Sequence, residues 1–244
     1  MAERTHDTAA LLKPFSCQPI GLVHSCFKEK FGIPRQPGLA KTATAELELI
    51  GEYANIDAVR GLEHCSHIWV LFLFSEHLQR GWTPLVRPPR SLGGKQGVFA
   101  TRATFRPNPI GMSVVKLDKV ENRNGTPILH LSGIDILDQT PVIDIKPYLP
   151  YADSLPEAHY TYASNGQKLN IRVNFSEPAQ QMLSKDPNPT ALQQLIEDLL
   201  SCDPRPTHRR KADDLRIYGI QLDHYNVRWR INNDSIDVIS IDIQ

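Results

Sequence analysis

Short segments that are apolar or that alternate apolar and polar residues fill residues 17–150, and Gly, Pro and Asn turns separate them. Seven of these segments are PIGLVHS, AELELI, HIWVLFLF, GVFAT, MSVVKL, PILHLSGI and PVIDIKPYL. A period of two is typical of strands with one buried face, and the spacing of the turns is that of a barrel or sandwich. We predict an antiparallel β-barrel here, interrupted by one short helix near NIDAVRGLE.

The pattern changes across KPYLPYADSLPEAHYTYASNG, which has no period and is rich in Pro, Tyr and small polar residues. Beyond it, LNIRVNF and SIDVISIDI predict strands, and IYGIQLDHYNVRWRI predicts two more with a turn between them. TALQQLIEDLL predicts a helix capped by Thr190, because Leu192, Leu195, Ile196 and Leu199 share one face. This part of the chain therefore predicts a small α+β unit.

These patterns predict a mainly β protein in which an N-terminal antiparallel β-barrel precedes a smaller C-terminal α+β domain. We place an N-terminal extension at 1–16, the barrel domain at 17–155 and the α+β domain at 156–244. A chain of 244 residues, 41% hydrophobic and 22% charged, has the length and composition for two folded domains. It lacks an apolar run of roughly 18 residues and a signal-peptide core, which favours a cytoplasmic protein without a membrane segment.

The charges are unevenly distributed although the net charge is zero, with 27 basic and 27 acidic residues. No Asp or Glu occurs from His77 to Leu117, whereas this stretch carries seven Lys and Arg residues. Such a region creates a local positive field that attracts anions. It includes Arg102 and Arg106, beside the stiff Pro-Asn-Pro-Ile-Gly turn that contains Asn108. We interpret this motif as a ligand-contacting segment, with a purely architectural turn as the competing interpretation.

Three other segments hold candidate binding residues. The GIPRQPG loop carries Arg35 on a rigid backbone, although it has the composition of an ordinary surface turn as well. Ser75, Glu76 and His77 follow an apolar strand, where they would lie either in a barrel mouth or at a plain strand end. Residues 132–148 carry Asp135 and Asp138 without a histidine or EF-hand spacing. This pattern favours contact with an ammonium or ribose group over a metal, with turn caps as the competing interpretation.

The segment DPRPTHRRK concentrates positive charge after the predicted helix. It is either a solvated charged face or a surface that contacts RNA phosphates, with aromatic residues nearby that could stack on bases. We select as the candidate RNA-contacting residues Arg205, Arg209, Arg210, Lys211 and Tyr218, with Tyr225 and Trp229 as further stacking groups. The four cysteines are far apart and form no CxxC pair, so neither a zinc site nor a disulfide framework is indicated.

Several common catalytic signatures are absent from the sequence. It contains no GxGxxG after a strand, no Walker loop, no HExxH and no GxSxG. Rossmann cofactor binding, nucleotide hydrolysis, zinc proteolysis and α/β-hydrolase chemistry therefore lose support.

Three segments in this order, KEKFGIPRQPGL, GVFATRATFRPNPIGMSVVKL and DILDQTPVIDIKPYLPYADS, resemble the TsaA-like family. DPRP and NVRW near the end are similar to its full-length bacterial TrmO branch. The resemblance implies a homodimeric methyltransferase that uses S-adenosylmethionine to methylate N6 of threonylcarbamoyladenosine at position 37 of tRNA. It also implies that a β-barrel holds the cofactor, which would explain a cofactor enzyme without GxGxxG.

The resemblance also implies which residues bind the cofactor. They are Arg35, Gln36, Pro37, Ser75, Glu76, Arg102, Met112, Ser132, Gly133, Ile134, Asp135, Leu137, Asp138 and Thr140. Arg102, Arg106 and Asn108 are candidate catalytic residues, and we hypothesise that Arg106 or a neighbouring arginine grips the threonyl carboxylate. The rival interpretations are a non-catalytic barrel that binds tRNA or nucleotides, and a metal-dependent hydrolase that uses Asp135 and Asp138.

Overall fold

Six antiparallel strands form a closed barrel in the N-terminal part of the chain. The computed structural model describes residues 13–88, 94–161, 169, 171–205, 209–210, 216–232 and 235–244. The barrel strands are β1 (Gly21–Ser25), β2 (Thr44–Leu49), β3 (His67–Leu73), β6 (Ile110–Arg123), β7 (Thr126–Ser132) and β8 (Thr140–Pro147). They are hydrogen-bonded in the order β1-β2-β7-β6-β3-β8, with β8 returning to β1. The predicted antiparallel barrel is confirmed.

Alternation of the side chains explains why these segments form strands. In β3 the residues Ile68, Val70 and Phe72 point into the core, and the residues between them are more exposed. The partner strand β6 shows the same period, with Ser113, Val115 and Leu117 buried. A sheet that closes on itself has no open edge, so these apolar faces pack together inside.

Two local predictions in this part were wrong. GVFAT does not form a strand: after the hairpin of β4 (Leu85–Val86) and β5 (Gln96–Gly97), residues Val98–Ala100 form a 3-10 helix. The predicted single helix near NIDAVRGLE is instead a series of 3-10 helices, Gly51–Tyr53, Ile56–Val59 and Leu62–His64. Gly61, at φ 95°, separates the last two, because this left-handed conformation cannot continue a helix.

The C-terminal part combines helices with a four-stranded sheet. After a short helix α1 (Pro150–Asp153), its elements are β9 (Arg172–Phe175), α2 (Glu177–Leu183), α3 (Pro189–Ser201), β10 (Tyr218–Leu222), β11 (Tyr225–Ile231) and β12 (Ser235–Ile243). The strand order is β10-β11-β12-β9, and β9 runs parallel to β12. Asn188 rather than the predicted Thr190 caps α3: its side chain accepts from Ala191 N, and Pro189 suits the first helical position.

The barrel and the C-terminal sheet share one hydrophobic core. Phe27, just after β1, forms an isolated β-bridge with Leu222 at the end of β10. The backbone N–H of Asp223 donates to the carbonyl of Cys26 at 2.8 Å. The C-terminal sheet therefore packs directly beside the loop that follows β1, while the domain boundary at 155/156 stays a prediction. No helix in the described ranges is long and apolar enough to span a membrane.

Candidate active site

A cavity of about 420 Å³ lies where β3 ends and β6 and β8 begin. Its walls come from the loop after β1, the end of β3, the 3-10 helix Ser75–His77, the segment 101–106, the start of β6 and the residues that lead into β8. Cavities of this volume suit small organic ligands and cofactors. The barrel thus brings distant parts of the sequence to one concave site.

The cavity collects nine of the fourteen residues predicted to bind a cofactor. These nine are Arg35, Gln36, Ser75, Glu76, Arg102, Met112, Asp135, Leu137 and Thr140. They lie on four separate segments, because the antiparallel pairing of β3 with β6 and β8 places the corresponding strand ends side by side. The three sequence motifs singled out above therefore form one site.

The other five predicted residues do not line the cavity, so their contact with a cofactor stays a prediction. They are Pro37, Ser132, Gly133, Ile134 and Asp138. Ile134 is fully buried in the core, and the Asp138 carboxylate accepts from Ser25 N at 2.9 Å and pairs with Lys28 at 3.0 Å. The Gly133 carbonyl accepts from Gly38 N, and Ser132 belongs to the paired strand β7.

Hydrogen bonds join the loop after β1 to the central arginine motif. The Arg102 guanidinium donates through Nη1 to Gln36 Oε1, and the Gln36 side-chain amide donates to the carbonyl of Arg35. An ion pair between Lys30 and Glu76 links the same loop to the 3-10 helix after β3. These contacts hold Arg35 and Arg102 on one side of the cavity.

Arg106 lines the cavity, but its guanidinium donates hydrogen bonds to its own loop. Its Nη1 donates to the carbonyls of Val98 at 3.0 Å and Thr101 at 2.8 Å, and its guanidinium carbon lies 5.7 Å from the centre of the Phe99 ring. Arg102 is more exposed than Arg106. Asn108 is exposed and lies outside the cavity wall, and its carbonyl accepts from Ile110 N.

Asp135 gives the cavity a half-buried carboxyl group. The Ser113 hydroxyl donates to its Oδ1 at 2.6 Å. Burial raises the pKa of Asp135 to about 6, while the Ser113 hydrogen bond and the positive charge of Arg102 act in the opposite direction. The group is mostly ionised at neutral pH, and a cationic ligand group would be stabilised beside it.

Sequence reasoning missed the aromatic wall of the cavity. Phe72 and Phe74 meet edge to face with their ring centres 5.3 Å apart, and both line the cavity. The His77 ring packs edge-on against Phe105 at 5.0 Å. Burial, followed by the charges of Lys30 and Arg80, lowers the pKa of His77, which favours the neutral imidazole. Alternation along β3 would have identified Phe72 as inward-facing.

The predicted RNA-contacting cluster near residue 205 is largely an internal structure. Arg205 is buried and pairs with Asp203 through Nε–Oδ1 at 2.9 Å and Nη2–Oδ2 at 3.2 Å. Arg210 donates to the carbonyls of Asp203 and Arg205. Arg209 is exposed, whereas Lys211 lies outside the described residues. The prediction that Arg205 meets phosphate is wrong, because its guanidinium is enclosed with a carboxylate.

The predicted base-stacking aromatics belong to the core. The Tyr218 ring stacks between the rings of Phe31 and Trp229, with distances between ring centres of 6.0 Å and 5.0 Å. Tyr218, Tyr225 and Trp229 are all buried. These residues occupy the inner positions of two alternating strands, β10 and β11. The expectation that Tyr218 stacks on RNA is therefore corrected: it packs the C-terminal sheet against the loop after β1.

Asp135 and Asp138 do not combine into a metal site in the structure. Asp135 contacts Ser113 in the cavity, whereas Asp138 pairs with Lys28 and binds Ser25 N outside the cavity wall. Across the described part of the chain, no three His, Cys, Asp or Glu side chains group closely enough to hold a metal ion. The geometry gives the hydrolase interpretation no support.

Comparison with known proteins identifies the family. Residues 22–154 match the family model described as the tRNA-methyltransferase O N-terminal domain, and residues 168–244 match the TrmO C-terminal domain. The chain belongs to the TrmO family. The resemblance read from the central arginine motif is thereby confirmed.

Relatives and solved structures match over nearly the full TrmO chain. The Escherichia coli protein named tRNA (adenine(37)-N6)-methyltransferase is 46% identical over 95% of this chain and 99% of its own. A Pseudomonas aeruginosa protein named RcsF, a candidate S-adenosylmethionine-dependent methyltransferase, is 47% identical over 88% of this chain and 91% of its own. A crystal structure of TrmO from Pseudomonas aeruginosa superposes with a TM-score of 0.76 at 41% identity, covering 94% of this chain and 100% of that one.

Proposed function

We propose that this TrmO-family chain transfers a methyl group from S-adenosylmethionine to N6 of adenosine 37 in tRNA. We further propose that the adenosine carries a threonylcarbamoyl group. The observation that supports the proposal is the single cavity that joins three family motifs, with arginines on one side, a carboxylate within it and an aromatic wall. Two relatives that match over most of the chain agree with it: the name of one gives N6 methylation of adenine 37 in tRNA, and the name of the other gives S-adenosylmethionine as the donor.

The groups in the cavity fit S-adenosylmethionine. Phe72, Phe74 and Leu137 offer apolar surface to an adenine ring, and the Asp135 carboxylate suits a cationic sulfonium or ammonium group. The guanidinium group of Arg35 suits the carboxylate of the cofactor. When bound, the cofactor supplies an electrophilic methyl group on its positively charged sulfur. The cavity residues thus match the adenine ring, the cationic group and the carboxylate of the donor.

The protein's contribution to such a reaction is chiefly alignment. An in-line transfer between two held partners gains much of its acceleration from orientation, so it does not demand a catalytic acid and base pair. Both S-adenosylmethionine and a threonylcarbamoyl base carry a carboxylate, and the cavity wall presents Arg35 and Arg102 in linked positions. We assign the threonyl carboxylate to Arg102, because Arg102 is more exposed than Arg106 and its Nη1 makes one hydrogen bond, to Gln36, whereas Arg106 Nη1 binds two carbonyls of its own loop.

The test is methyl transfer from labelled S-adenosylmethionine to defined tRNAs. We expect label in tRNA that carries threonylcarbamoyladenosine 37, far less in the unmodified transcript, and none when position 37 is guanosine. Arg102→Ala should lose the preference for the modified base. Arg60→Ala is the control, because Arg60 is exposed and pairs with Asp57 away from the cavity. Binding of tRNA without any label would favour the non-catalytic barrel and reject the proposal.

The resemblance also leads us to propose that the protein is a homodimer that acts in the cytoplasm. Sedimentation of the purified chain measures the first point directly, and a mass of one chain would contradict it. Fluorescent tagging of the chain in cells measures the second.

We expect Gly32→Ala to weaken cofactor binding through a clash with the C-terminal sheet. A Cβ atom at Gly32 would lie 2.6 Å from Ile220 Cγ2 of β10, and the neighbouring residues Ile33 and Pro34 line the cavity. The segment must shift to relieve this contact, which moves the cavity wall. Calorimetric titration with S-adenosylmethionine should show binding that is weaker by roughly ten-fold or more, because a small displacement of binding groups has an effect of this size.

Gly61→Ala is the matched control for this prediction. Gly61 has φ 95° and Gly32 has φ 98°, so an alanine at either position has a similar backbone strain of about 1–2 kcal/mol. No heavy atom lies within 4 Å of a Cβ at Gly61. Both variants should unfold at lower temperature, but only Gly32→Ala should lose cofactor affinity. Equal affinity in the two variants would show that the C-terminal sheet does not shape the cavity.

A further inference from the structure

Large apolar side chains are exposed along the segment 77–106, next to the cavity. Trp82 keeps 54% and Phe99 keeps 73% of its surface exposed, and Leu78, Leu85 and Phe105 are also exposed. Soluble proteins leave such groups clustered in water chiefly where something binds. We call the described part of this segment, residues 77–88 and 94–106, the aromatic rim.

Hydrogen bonds and ring contacts join the aromatic rim to the cavity edge. Thr83 N donates to the carbonyl of Phe105, and Val98 N donates to the carbonyl of Pro84 at 2.9 Å, which ties the two halves of the segment together. Phe105 packs on His77, which lines the cavity. Phe99 lies under the guanidinium of Arg106, another cavity residue. A partner on the rim would therefore lie beside the cofactor cavity.

The aromatic rim is also positively charged. Arg80, Arg87, Lys95 and Arg102 are all exposed in it, and the sequence has no Asp or Glu between His77 and Leu117. Two copies of a cationic face would repel each other across a symmetric contact, whereas a polyanion would be attracted. The charge therefore favours nucleic acid over a second copy of this chain as the occupant.

We propose that the aromatic rim is the surface on which the single-stranded anticodon loop docks. Exposed rings interleaved with cations are the groups that proteins use for single-stranded RNA, because bases stack on the rings while the cations follow the phosphates. Trp82 and Phe99 stack on loop bases, and Arg87 and Lys95 contact phosphates. This proposal rests on the proposed function and adds the position of the RNA. It also replaces the buried Arg205 and Tyr218 as RNA contacts.

The first test measures binding of a fluorescent anticodon stem-loop to a Trp82→Ala, Phe99→Ala double variant. Loss of two stacking partners should weaken RNA binding on the order of ten-fold to hundred-fold or more, while the affinity for S-adenosylmethionine stays unchanged. Tyr151→Ala is the matched control, because Tyr151 is 87% exposed and lies on α1 outside the rim. Since all three rings are exposed, thermal melting should verify that each variant remains folded.

The second test uses the salt dependence of the same binding. An Arg87→Ala, Lys95→Ala double variant should reduce the slope of log affinity against log salt by about 1.4, the value for two phosphate contacts on single-stranded RNA. An unchanged slope would show that Arg87 and Lys95 do not contact phosphates.

Three outcomes separate the alternatives. If the Trp82→Ala, Phe99→Ala variant binds RNA as tightly as the wild type does, the rim assignment is wrong. The proposed function would still hold in that case, provided that the wild-type protein methylates tRNA. A change in sedimenting mass together with the loss of RNA binding would identify the rim as an interface between copies and overturn the proposal. Failure of the wild-type chain to bind any tRNA would overturn both the rim assignment and the proposed function.

Discussion

Replacing Asp135 with asparagine should raise the melting temperature of the protein and weaken its binding of S-adenosylmethionine. The pKa of Asp135 is raised from 3.8 to about 6, chiefly by burial. At neutral pH the ionised carboxylate therefore destabilises the folded protein, by about 2–3 kcal/mol at 1.36 kcal/mol per pKa unit. Asparagine removes the charge and keeps an oxygen that can accept from the Ser113 hydroxyl. Thermal unfolding at pH 7 measures the gain.

The same missing charge that stabilises the folded protein should weaken the binding of the cofactor. A cationic ligand group held beside Asp135 would lose its counter-charge in the variant, and charge-assisted contacts of this kind contribute about 1.5–3 kcal/mol, or ten-fold to hundred-fold in affinity. Calorimetric titration of wild type and variant measures it. If Asp135→Asn instead unfolds earlier than wild type, or binds the cofactor as tightly, the assigned role of Asp135 is wrong.

Asp138→Asn is the matched control for this prediction. Asp138 lies three residues further along the chain, but its carboxylate pairs with Lys28 and accepts from Ser25 N outside the cavity wall. Its replacement should lower stability through the lost ion pair and leave cofactor affinity nearly unchanged. Asp135→Asn should therefore gain stability and lose cofactor affinity, whereas Asp138→Asn should lose stability and keep its cofactor affinity.

The pH dependence of stability follows from the same shift. Because the folded-state pKa of Asp135 lies above the unfolded value of 3.8, the folded protein binds more protons than the unfolded chain between about pH 4 and 6. The contribution of Asp135 to stability therefore falls as pH rises through this window. Wild type and Asp135→Asn should approach each other in stability as pH is lowered toward 4. Cofactor affinity of the wild type should fall below pH 6, where the carboxyl group takes up a proton.

Alternation along the chain was sufficient to predict most strands of the barrel, because a strand with one buried face repeats every second residue. Tyr218 and Trp229 were interpreted instead from their position after the basic segment DPRPTHRRK, as rings that stack on bases. Alternation shows that they share a face, but not whether that face meets solvent or another sheet. Phe31 and the loop after β1 cover it in the folded protein. The exposure of these rings depends on tertiary packing, which a local pattern does not contain.

Charge patterns had a similar limit at Arg205. The run of basic residues after α3 predicts a charged surface, yet Asp203 lies two residues earlier, and both side chains are enclosed as an ion pair. The cavity itself was more predictable. The positions of Arg35, Arg102 and Asp135 came from segments that resemble a known family, and antiparallel pairing brings those segments together.

Gly111→Ala should lower the free energy of unfolding by about 1–3 kcal/mol and distort the cofactor cavity. Gly111 on β6 pairs with Phe72 on β3, and a Cβ at Gly111 would lie 2.4 Å from both Cε2 and Cζ of the Phe72 ring. That ring is buried and packs edge to face on Phe74, so it cannot move aside freely. Gly111 and both rings line the cavity, which links the clash to cofactor binding.

Gly97→Ala and a second-site change test this clash specifically. Gly97 has φ −57° and no heavy atom within 4 Å of an added Cβ, so its replacement should leave unfolding and cofactor affinity nearly unchanged. Phe72→Leu, added to Gly111→Ala, creates space for the new methyl group. The double variant should therefore lose less free energy of unfolding than the two single variants lose when their losses are added. Strict additivity in denaturant unfolding would mean that the Phe72 ring does not rest against Gly111, and the aromatic wall of the cavity would then be built differently.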